Sequence, residues 1–505
     1  MKRNTFLLLM VTLLFAACTK KDVFVPFVAD EILVKNFNFD NEPSVDTYKF
    51  YASMDQSTNT YVIQNIDSLP VGTDVTKLKA QFTPLNGVTV KVNGTLQASG
   101  VTENDFSTPV TYVVTSESGE TQVIQVVVNV AKAKQEVSNY ILVNGYLNEA
   151  DFQAIATEFG TQTKKTTAVG VGVIVSYLNN TPENCLAQLN NYLNLSVKYN
   201  LPVRIKLDGE QWWDYRSDLW NWWDPGAPGY NPANKDNVEW ADWTADAAVK
   251  IGWRNWGSQI RVKPMPNLMS TAYREACRTE LIKLTDAIKT WQDALPEDKK
   301  FLFVGIVVGW ESGIGVNNYY YPNGNDYLGQ PESNDPKTGV TGGPPSRGLQ
   351  TIGYAAAKTA GIASSGTLTE DMQVEVVRRH LEDLSKVVSE RGITRDKIFT
   401  HCGGWFKGEK LFNAAINEYS CPGWSFYDSA VNPTLDEGVM NALKNSTAPY
   451  WSATEWSFAG DHTKDQWASA LNLTLGPKTK YVCIYNWTDI AANRNALDAI
   501  SELNK

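Results

Sequence analysis

The sequence predicts an α/β protein in which a (β/α)8 TIM barrel follows an N-terminal all-β sandwich. Two observations support this prediction. Residues 24–132 alternate apolar and polar residues in short runs, separated by turn signals such as Asn93-Gly94 and Ser118-Gly119. From residue 139 to 505, apolar strand-like runs alternate with amphipathic helical stretches, and eight such pairs fit a closed parallel barrel.

The eight predicted barrel strands are apolar runs, as expected for strands that are buried on both faces. They span residues 140–147, 168–177, 202–207, 301–309, 397–402, 423–427, 450–454 and 481–485. The predicted helices span residues 149–159, 182–199, 273–294, 369–391, 409–419, 435–444, 464–475 and 494–503. The connections after strands three and four are the longest, and in a barrel such loops build the active site.

Residues 1–18 have the pattern of a bacterial secretion signal, because basic residues precede an apolar segment of roughly 13 residues that is too short to cross a bilayer. The segment ends in Leu14-Phe15-Ala16-Ala17-Cys18, which resembles the lipobox of bacterial lipoproteins, with Phe15 where leucine is usual. The resemblance implies lipidation of Cys18 and anchorage to the bacterial outer membrane, at the cell surface or the periplasmic face. This anchor is the only membrane contact that we predict. An ordinary cleaved signal is the alternative.

The sandwich at residues 24–132 resembles the immunoglobulin-like module that follows the lipid anchor in many surface proteins of Bacteroidetes. The segments that carry this resemblance are residues 70–76, the turn at residues 92–95 and residues 108–112. The module implies a spacer that holds the barrel away from the membrane, and glycan binding is the alternative role.

Composition excludes several classes of function. The net charge is −10 and no basic run extends beyond Lys20-Lys21, so we predict no nucleic acid partner. The chain contains three histidines, no HExxH motif and no paired CxxC motif, so we predict neither a metal site nor a cofactor.

Tryptophan is distributed unevenly along the chain. All 17 tryptophans lie at or after Trp212, and nine of them lie within residues 212–256. An indole offers a flat apolar face to a sugar ring and an N–H for a hydroxyl group, so the pattern favours a carbohydrate partner. We expect about three of the nine to contact substrate and the others to pack the loop. We also expect no sugar contacts from the sandwich or the first two barrel strands, which lack tryptophan.

Two predicted strands end in a glutamate: Glu311 follows strand four, and Glu455 follows strand seven. Cleavage of a glycosidic bond requires one carboxyl group to protonate the leaving oxygen and a second to attack the sugar or activate water. This arrangement resembles clan A of the glycoside hydrolases, which are retaining (β/α)8 enzymes. The resemblance implies that Glu311 is the acid/base and Glu455 the nucleophile.

Neighbouring strand ends extend the resemblance. Tyr427 resembles the tyrosine that orients the nucleophile, and Trp487, preceded by Asn486, resembles the aromatic floor of the sugar site. Trp310 departs from the clan, which usually has asparagine immediately before its acid/base. The residues that we predict to bind substrate are Trp212, Trp213, Arg216, Asp208, Glu210, Trp310, His401, Trp424, Tyr427, Asn486 and Trp487.

Several of these predictions have structural alternatives. Asp208 and Glu210 could equally pair with Arg204 or Lys206, and His401 could be a buried structural residue. Two other functions also remain open. The first is an inverting hydrolase, since Glu311 with the Tyr319-Tyr320-Tyr321-Pro322 loop resembles β-amylases. A carboxyl separation of about 5 to 5.5 Å would indicate retention and one of about 6.5 to 9.5 Å inversion. The second is a non-catalytic glycan-binding lipoprotein.

Overall fold

The structure, a computed structural model, describes residues 33–505 apart from residues 56, 59, 133–135, 164, 257–258, 315–317, 336–349, 405–406 and 477. The predicted signal segment 1–18 and its Cys18 lie outside the described residues. The chain divides into two compact units, Met1–Ala133 and Lys134–Lys505. Across the described ranges, every helix falls short of the length and apolarity that a bilayer crossing requires.

The N-terminal unit is all-β, as predicted. Its strands are β1 (Val34–Asn38), β2 (Phe50–Asp55), β3 (Thr60–Asn65), β4 (Leu78–Lys79), β5 (Gln81–Pro84), β6 (Thr89–Val92), β7 (Thr95–Leu96), β8 (Glu103–Asn104), β9 (Val110–Thr115) and β10 (Thr121–Val127). Six of them form one sheet in the order β2-β3-β10-β9-β6-β7, and β1-β5 and β4-β8 form two small sheets. Along β9, Val110, Tyr112 and Val114 are buried while the residues between them are exposed, which explains the alternating pattern of the sequence.

The second unit contains a closed barrel of eight parallel strands, which confirms the predicted fold. Its strands follow each other in chain order: β11 (Asn139–Asn144), β12 (Thr167–Ser176), β13 (Val203–Asp208), β16 (Phe303–Ser312), β18 (Ile398–Cys402), β19 (Gly423–Phe426), β20 (Trp451–Trp456) and β21 (Thr479–Ile484). Three further strands, β14 (Gly252–Asn255), β15 (Gln259–Val262) and β17 (Asn318–Tyr319), form a separate small sheet in the long loops.

Helices cover the barrel at nearly the predicted positions. They are α1 (Glu149–Phe159), α2 (Pro182–Tyr199), α3 (Ser217–Trp220), α4 (Thr271–Ala294), α5 (Tyr354–Thr359), α6 (Glu370–Glu390), α7 (Glu437–Asn445), α8 (Lys464–Thr474), α9 (Trp487–Ile490) and α10 (Arg494–Leu503). The bounds of α1, α2 and α10 agree with prediction to the residue. Each of these helices has an asparagine or threonine N-cap whose side chain accepts a backbone N–H, which fixes the start.

The helix predicted at residues 409–419 is wrong. Only a six-residue 3-10 turn, Lys410–Ala415, forms there. The Asn417 side-chain oxygen accepts hydrogen bonds from the backbone N–H groups of Tyr419 and Ser420, and the amide of Asn413 donates to the Lys410 carbonyl. Such local bonds satisfy the backbone without an α-helix.

The third barrel strand, β13, places cations inside the barrel. Val203, Ile205 and Leu207 belong to the apolar core cluster of the second unit, while the alternate residues Arg204 and Lys206 are fully buried. A Cβ on Gly172 of the neighbouring strand would lie 2.5 Å from Arg204 Nη2 and 2.7 Å from Cys483 Sγ. The missing side chain at Gly172 therefore leaves the space that the guanidinium group occupies.

Most tryptophans of the 212–256 loop pack within the protein, as expected. Trp213, Trp240, Trp243 and Trp253 are buried in the core. Trp253 packs edge-on against Tyr321. The Tyr319-Tyr320-Tyr321 segment, which carried the resemblance to β-amylases, is likewise buried with the loop core.

Candidate active site

A cavity of about 770 Å³ opens at the carboxyl ends of the barrel strands. Loops that follow several strands meet there, as expected for this fold. Its lining comprises Asn144, Gly145, Tyr146, Ile174, Trp212, Trp256, Trp310, Glu311, Tyr427, Glu455, Ser457, Tyr485, Asn486, Thr488 and Asp489. Both predicted glutamates therefore face one space, although they come from opposite sides of the barrel.

Glu311 is held in an unusual backbone conformation near the end of β16. Its φ is +49°, in the left-handed region that residues other than glycine rarely adopt. The pairing of β16 with β18 is irregular between Val308 and Ser312, so the strand bends at this point. Backbone strain of this kind costs on the order of 1 to 3 kcal/mol and is concentrated at functional sites.

Hydrogen bonds fix the Glu311 carboxyl group on one side. Its Oε1 accepts from Ser425 Oγ at 2.8 Å and lies 2.6 Å from the Tyr427 hydroxyl oxygen. Ser425 Oγ in turn lies 2.8 Å from His401 Nε2. His401 is fully buried and lies outside the cavity lining. It is therefore linked to Glu311 through Ser425 and is not placed to contact a sugar.

Glu455 faces the same tyrosine from β20. The Tyr427 hydroxyl donates to Glu455 Oε1 at 2.8 Å, and the Lys206 ammonium group donates to Glu455 Oε2 at 3.1 Å. Both partners of this ion pair are almost completely buried. Glu455 therefore has a fixed cation beside it, whereas the hydrogen-bond partners of Glu311 among the described residues are neutral hydroxyl groups.

One tyrosine oxygen lies between the two carboxyl groups. Because it is 2.6 Å from Glu311 Oε1 and 2.8 Å from Glu455 Oε1, those two oxygens are at most about 5.4 Å apart, the sum of both distances. A tyrosine hydroxyl has a single proton to donate. Both short contacts can be hydrogen bonds at the same time only if one of the two carboxyl groups is protonated.

The electrostatic environment favours protonation of Glu311. Burial, followed by the nearby charge of Glu455, raises the pKa of Glu311 to about 7. Burial also lowers the pKa of Lys206, although Glu455 opposes this effect. Burial together with the cations of Lys206 and Arg204 lowers the pKa of His401 well below its ordinary value, so this histidine is neutral near pH 7.

Three tryptophans form an aromatic wall of the cavity. The rings of Trp256 and Trp310 are stacked with centroids 5.5 Å apart, and Trp212 meets Trp256 edge-on at 6.0 Å. The Arg254 guanidinium group lies over both Trp212 and Trp256, and the Lys206 ammonium group lies 4.6 Å from the Trp310 ring centroid. The indole N–H groups of Trp212 and Trp256 have no hydrogen-bond partner among the described residues.

Six of the predicted site residues line the cavity, namely Trp212, Trp310, Glu311, Tyr427, Glu455 and Asn486. Trp213 is buried outside the cavity lining and donates its indole N–H to the Pro264 carbonyl. Trp424 is fully buried and donates to the Phe412 carbonyl.

The other predicted substrate contacts have structural partners. Arg216 forms two hydrogen bonds with Asp218. Asp208 accepts the backbone N–H groups of residues 210 and 211, which shapes the start of the loop after β13. Glu210 is buried and accepts from Ser312 Oγ at 2.5 Å. Trp487 is buried at the start of α9, and it lies outside the lining although its neighbours Asn486 and Thr488 are part of it.

Sequence reasoning missed part of the lining. Asn144 ends the first barrel strand, Gly145 and Tyr146 follow it, and Ile174 lies on the second, so both strands contribute to the cavity lining. The expectation that they make no sugar contacts stays a prediction, and the tryptophan pattern gives no signal for these residues. Trp256 belongs to the noted tryptophan cluster, but its place in the wall depends on how the β14–β15 hairpin folds back.

Comparison with known proteins gives matches to each unit. The family model described as "SGBP, N-terminal" matches residues 48–130. No curated protein matches the sequence significantly.

Several solved structures resemble the chain. The catalytic domain of a β-amylase from Paenibacillus polymyxa is 10% identical, with 73% of this chain and 98% of that one covered and a TM-score of 0.41. The GH5 xyloglucanase of Bacteroides ovatus is 10% identical, with 90% and 100% covered and a TM-score of 0.35. PbGH5A, a glycoside hydrolase family 5 enzyme from Prevotella bryantii B14, is 11% identical, with 72% and 88% covered and a TM-score of 0.35. At these identities the likeness concerns the fold alone.

Proposed function

We propose that the protein is a glycoside hydrolase that cleaves a polysaccharide or oligosaccharide with retention of anomeric configuration. One observation carries the proposal: Glu311 and Glu455, from the fourth and seventh barrel strands, share the hydroxyl group of Tyr427 inside a cavity with a tryptophan wall. A protonated carboxyl group and a charged carboxylate at close range are the two groups that glycosidic cleavage requires.

In the first step, Glu311 donates its proton to the glycosidic oxygen while Glu455 attacks the anomeric carbon. The raised pKa of Glu311, about 7, keeps a large fraction of the acid protonated near neutral pH. The Lys206 ammonium group and the Tyr427 hydroxyl hold the attacking carboxylate in place. The leaving sugar departs with the proton, and Glu455 is then bonded to the remaining sugar.

In the second step, Glu311, now a carboxylate, takes a proton from water as the water attacks the anomeric carbon and displaces Glu455. The chain then regains its starting protonation state. The bound of about 5.4 Å between Glu311 Oε1 and Glu455 Oε1 agrees with the separation of about 5 to 5.5 Å in retaining enzymes, and it favours retention over inversion, for which the carboxyl groups stand about 6.5 to 9.5 Å apart.

The test begins with a panel of polysaccharides and aryl glycosides, with product anomers followed by NMR. On any substrate that is cleaved, we expect Glu311→Gln and Glu455→Gln each to lower kcat by about 100-fold or more. Glu210→Gln is the matched control, because Glu210 is equally buried but lies outside the cavity lining, and it should retain activity within tenfold. Near wild-type activity in either active-site variant would overturn the proposal, and an inverted product would overturn retention.

The match of residues 48–130 favours a second candidate, non-catalytic capture of a glycan. In that case the barrel would bind sugar through its tryptophan wall without releasing products. Binding of a glycan by affinity electrophoresis, together with no product from it after prolonged incubation, would support this candidate over hydrolysis.

We further propose that Cys18 is lipidated and anchors the protein to the outer membrane. The lipobox-like sequence at residues 14–18 supports this proposal, and the match to "SGBP, N-terminal" favours display at the surface. Metabolic labelling with an alkyne fatty acid should mark the wild type and not Cys18→Ala, and protease treatment of intact cells should reach a surface-displayed protein. Equal labelling of both forms would contradict lipidation at Cys18.

A further inference from the structure

A second cavity of about 260 Å³ adjoins the first one. Trp212 lines both cavities, so the two spaces are neighbours on either side of this residue. The second cavity also contains Trp223 and residues next to or within the β14–β15 hairpin. A linear glycan that occupies the first cavity can therefore continue past Trp212 into the second.

The two cavities differ in the charge of their lining. Glu311, Glu455 and Asp489 line the first cavity, and no lysine or arginine among the described residues does so. Lys250, Arg261 and Lys263 line the second cavity, together with Asp214 and Glu332. An acidic sugar would therefore meet no cation among the described residues that line the first cavity, whereas it would meet three in the adjoining space.

Two of these cations are available to a ligand. Arg261 is ion-paired with Asp335. In the part of the chain that the structure describes, no carboxylate lies within 4 Å of the ammonium group of Lys250 or Lys263. Instead, Lys263 Nζ lies 4.4 Å from the Trp220 ring centroid and Lys250 Nζ lies 5.2 Å from that of Trp222. These cation–π contacts orient both lysines, and neither forms an ion pair with a described carboxylate, although Asp214 and Glu332 line the same cavity.

We propose that the second cavity is a subsite for a sugar unit that carries an anionic group, either a carboxylate or a sulfate ester. Trp223 and Trp212 provide aromatic surface for the ring, and Lys250 and Lys263 bind the anion. The inference rests on the proposed function for where the glycan is cleaved. The cleaved bond joins neutral sugars beside Glu311 and Glu455, and the acidic sugar unit lies farther along the glycan. The specificity that follows is for acidic heteropolysaccharides.

Binding is tested with the full chain in the Glu455→Gln background, so that turnover does not consume the probe. The probes are uronic acid-containing and sulfated polysaccharides, each paired with its own carboxyl-reduced or desulfated form, in affinity gel electrophoresis. We expect at least one acidic polysaccharide to bind about tenfold more tightly than its neutral counterpart, and the preference to weaken with added salt. The two probe classes distinguish a carboxylate from a sulfate.

The Lys250→Met/Lys263→Met double variant should lose this preference. Lys235→Met is the matched control, because Lys235 contacts the same Trp222 ring at 4.9 Å but lies outside both cavities, and it should retain the preference. Equal binding of every acidic and neutral pair by the parent protein, or an unchanged preference in the double variant, would overturn the inference. Hydrolysis of a neutral glycan without any acidic preference would sink this inference alone. An acidic preference without hydrolysis of any glycan would instead sink the proposed function.

Discussion

Replacing Tyr427 by phenylalanine tests the arrangement of the two carboxyl groups directly. The change removes one hydroxyl group and leaves the ring, so the packing of the site is preserved. Tyr427 is the one side chain among the described residues that bonds both Glu311 and Glu455. Its loss should therefore change both the rate and the pH dependence of hydrolysis.

The direction of the pH effect follows from the environment of Glu311. The acid must be protonated to act, so wild-type activity should fall as the pH rises through about 7, the pKa of Glu311. Once Glu311 is ionised, it accepts from the Ser425 hydroxyl group and competes with Glu455 for the Tyr427 proton, so both hydroxyl groups stabilise the charged form and lower the pKa, although burial outweighs them. Tyr427→Phe therefore raises the pKa of Glu311 further and moves the basic limb of the profile to higher pH.

The magnitude follows from the strength of the lost bond. A hydrogen bond to a charged group contributes about 1.5 to 3 kcal/mol, and one pKa unit corresponds to about 1.4 kcal/mol. We therefore expect the basic limb to move up by about one to two pH units. The bond to Glu455 is lost as well, so kcat/KM at the optimum should fall by about 10- to 100-fold.

Two measurements check this prediction. Initial rates on a cleaved aryl glycoside between pH 4 and pH 10 locate the basic limb of the profile. Infrared titration gives the protonation state of Glu311 without a substrate, because the carboxyl band of Glu311 is absent from Glu311→Gln. Tyr140→Phe is the control, since its buried hydroxyl donates to the Phe301 carbonyl and contacts neither glutamate. A limb that stays in place or moves to lower pH in Tyr427→Phe would refute the reasoning.

Three further predictions concern stability, measured by urea unfolding. Lys206→Met should lower the free energy of unfolding at pH 7 by about 3 to 5 kcal/mol, because Glu455 loses its buried cation, and adding Glu455→Gln should restore part of the loss. Folding lowers the pKa of His401, so each pH unit below about 6.5 lowers the free energy of unfolding by up to about 1.4 kcal/mol. His401→Gln removes this effect, so the variant should lose less stability than the wild type between pH 7 and pH 5. The same difference in unfolding free energy between His401→Gln and the wild type at pH 7 and at pH 5 would contradict this prediction. Gly172→Ala should cost about 1 to 3 kcal/mol, because its methyl group would meet the buried Arg204 side chain.

The barrel was predictable from sequence because its strands are buried on both faces and its helices have strong caps. Asn148, whose side chain accepts the Asp151 N–H while the Asp151 carboxylate accepts the Asn148 N–H, marks the start of α1 in the sequence itself. The 409–419 segment has apolar residues at helical spacing but also Asn413 and Asn417. Their side-chain bonds to the backbone could not be weighed against helix formation from the pattern alone.

The two glutamates were predictable because a charged residue at the end of an apolar strand lies at the mouth of a barrel. The side chains around them were harder to place. Trp212 and Trp213 are neighbours in sequence, yet one lines the cavity and the other packs inside, and only the path of the loop decides between them. The ion pair of Lys206 with Glu455 joins residues 249 positions apart, and no local pattern encodes it.

The left-handed backbone at Glu311 implies that the fold is less stable than the same barrel without a functional site. At this position the protein holds a glutamate in a conformation suited to glycine and buries its carboxyl group. Glu311→Gly would relieve both costs, so this variant should be more stable than the wild type. Under the proposed function, the glutamate that serves as the acid/base is thus held at the expense of stability.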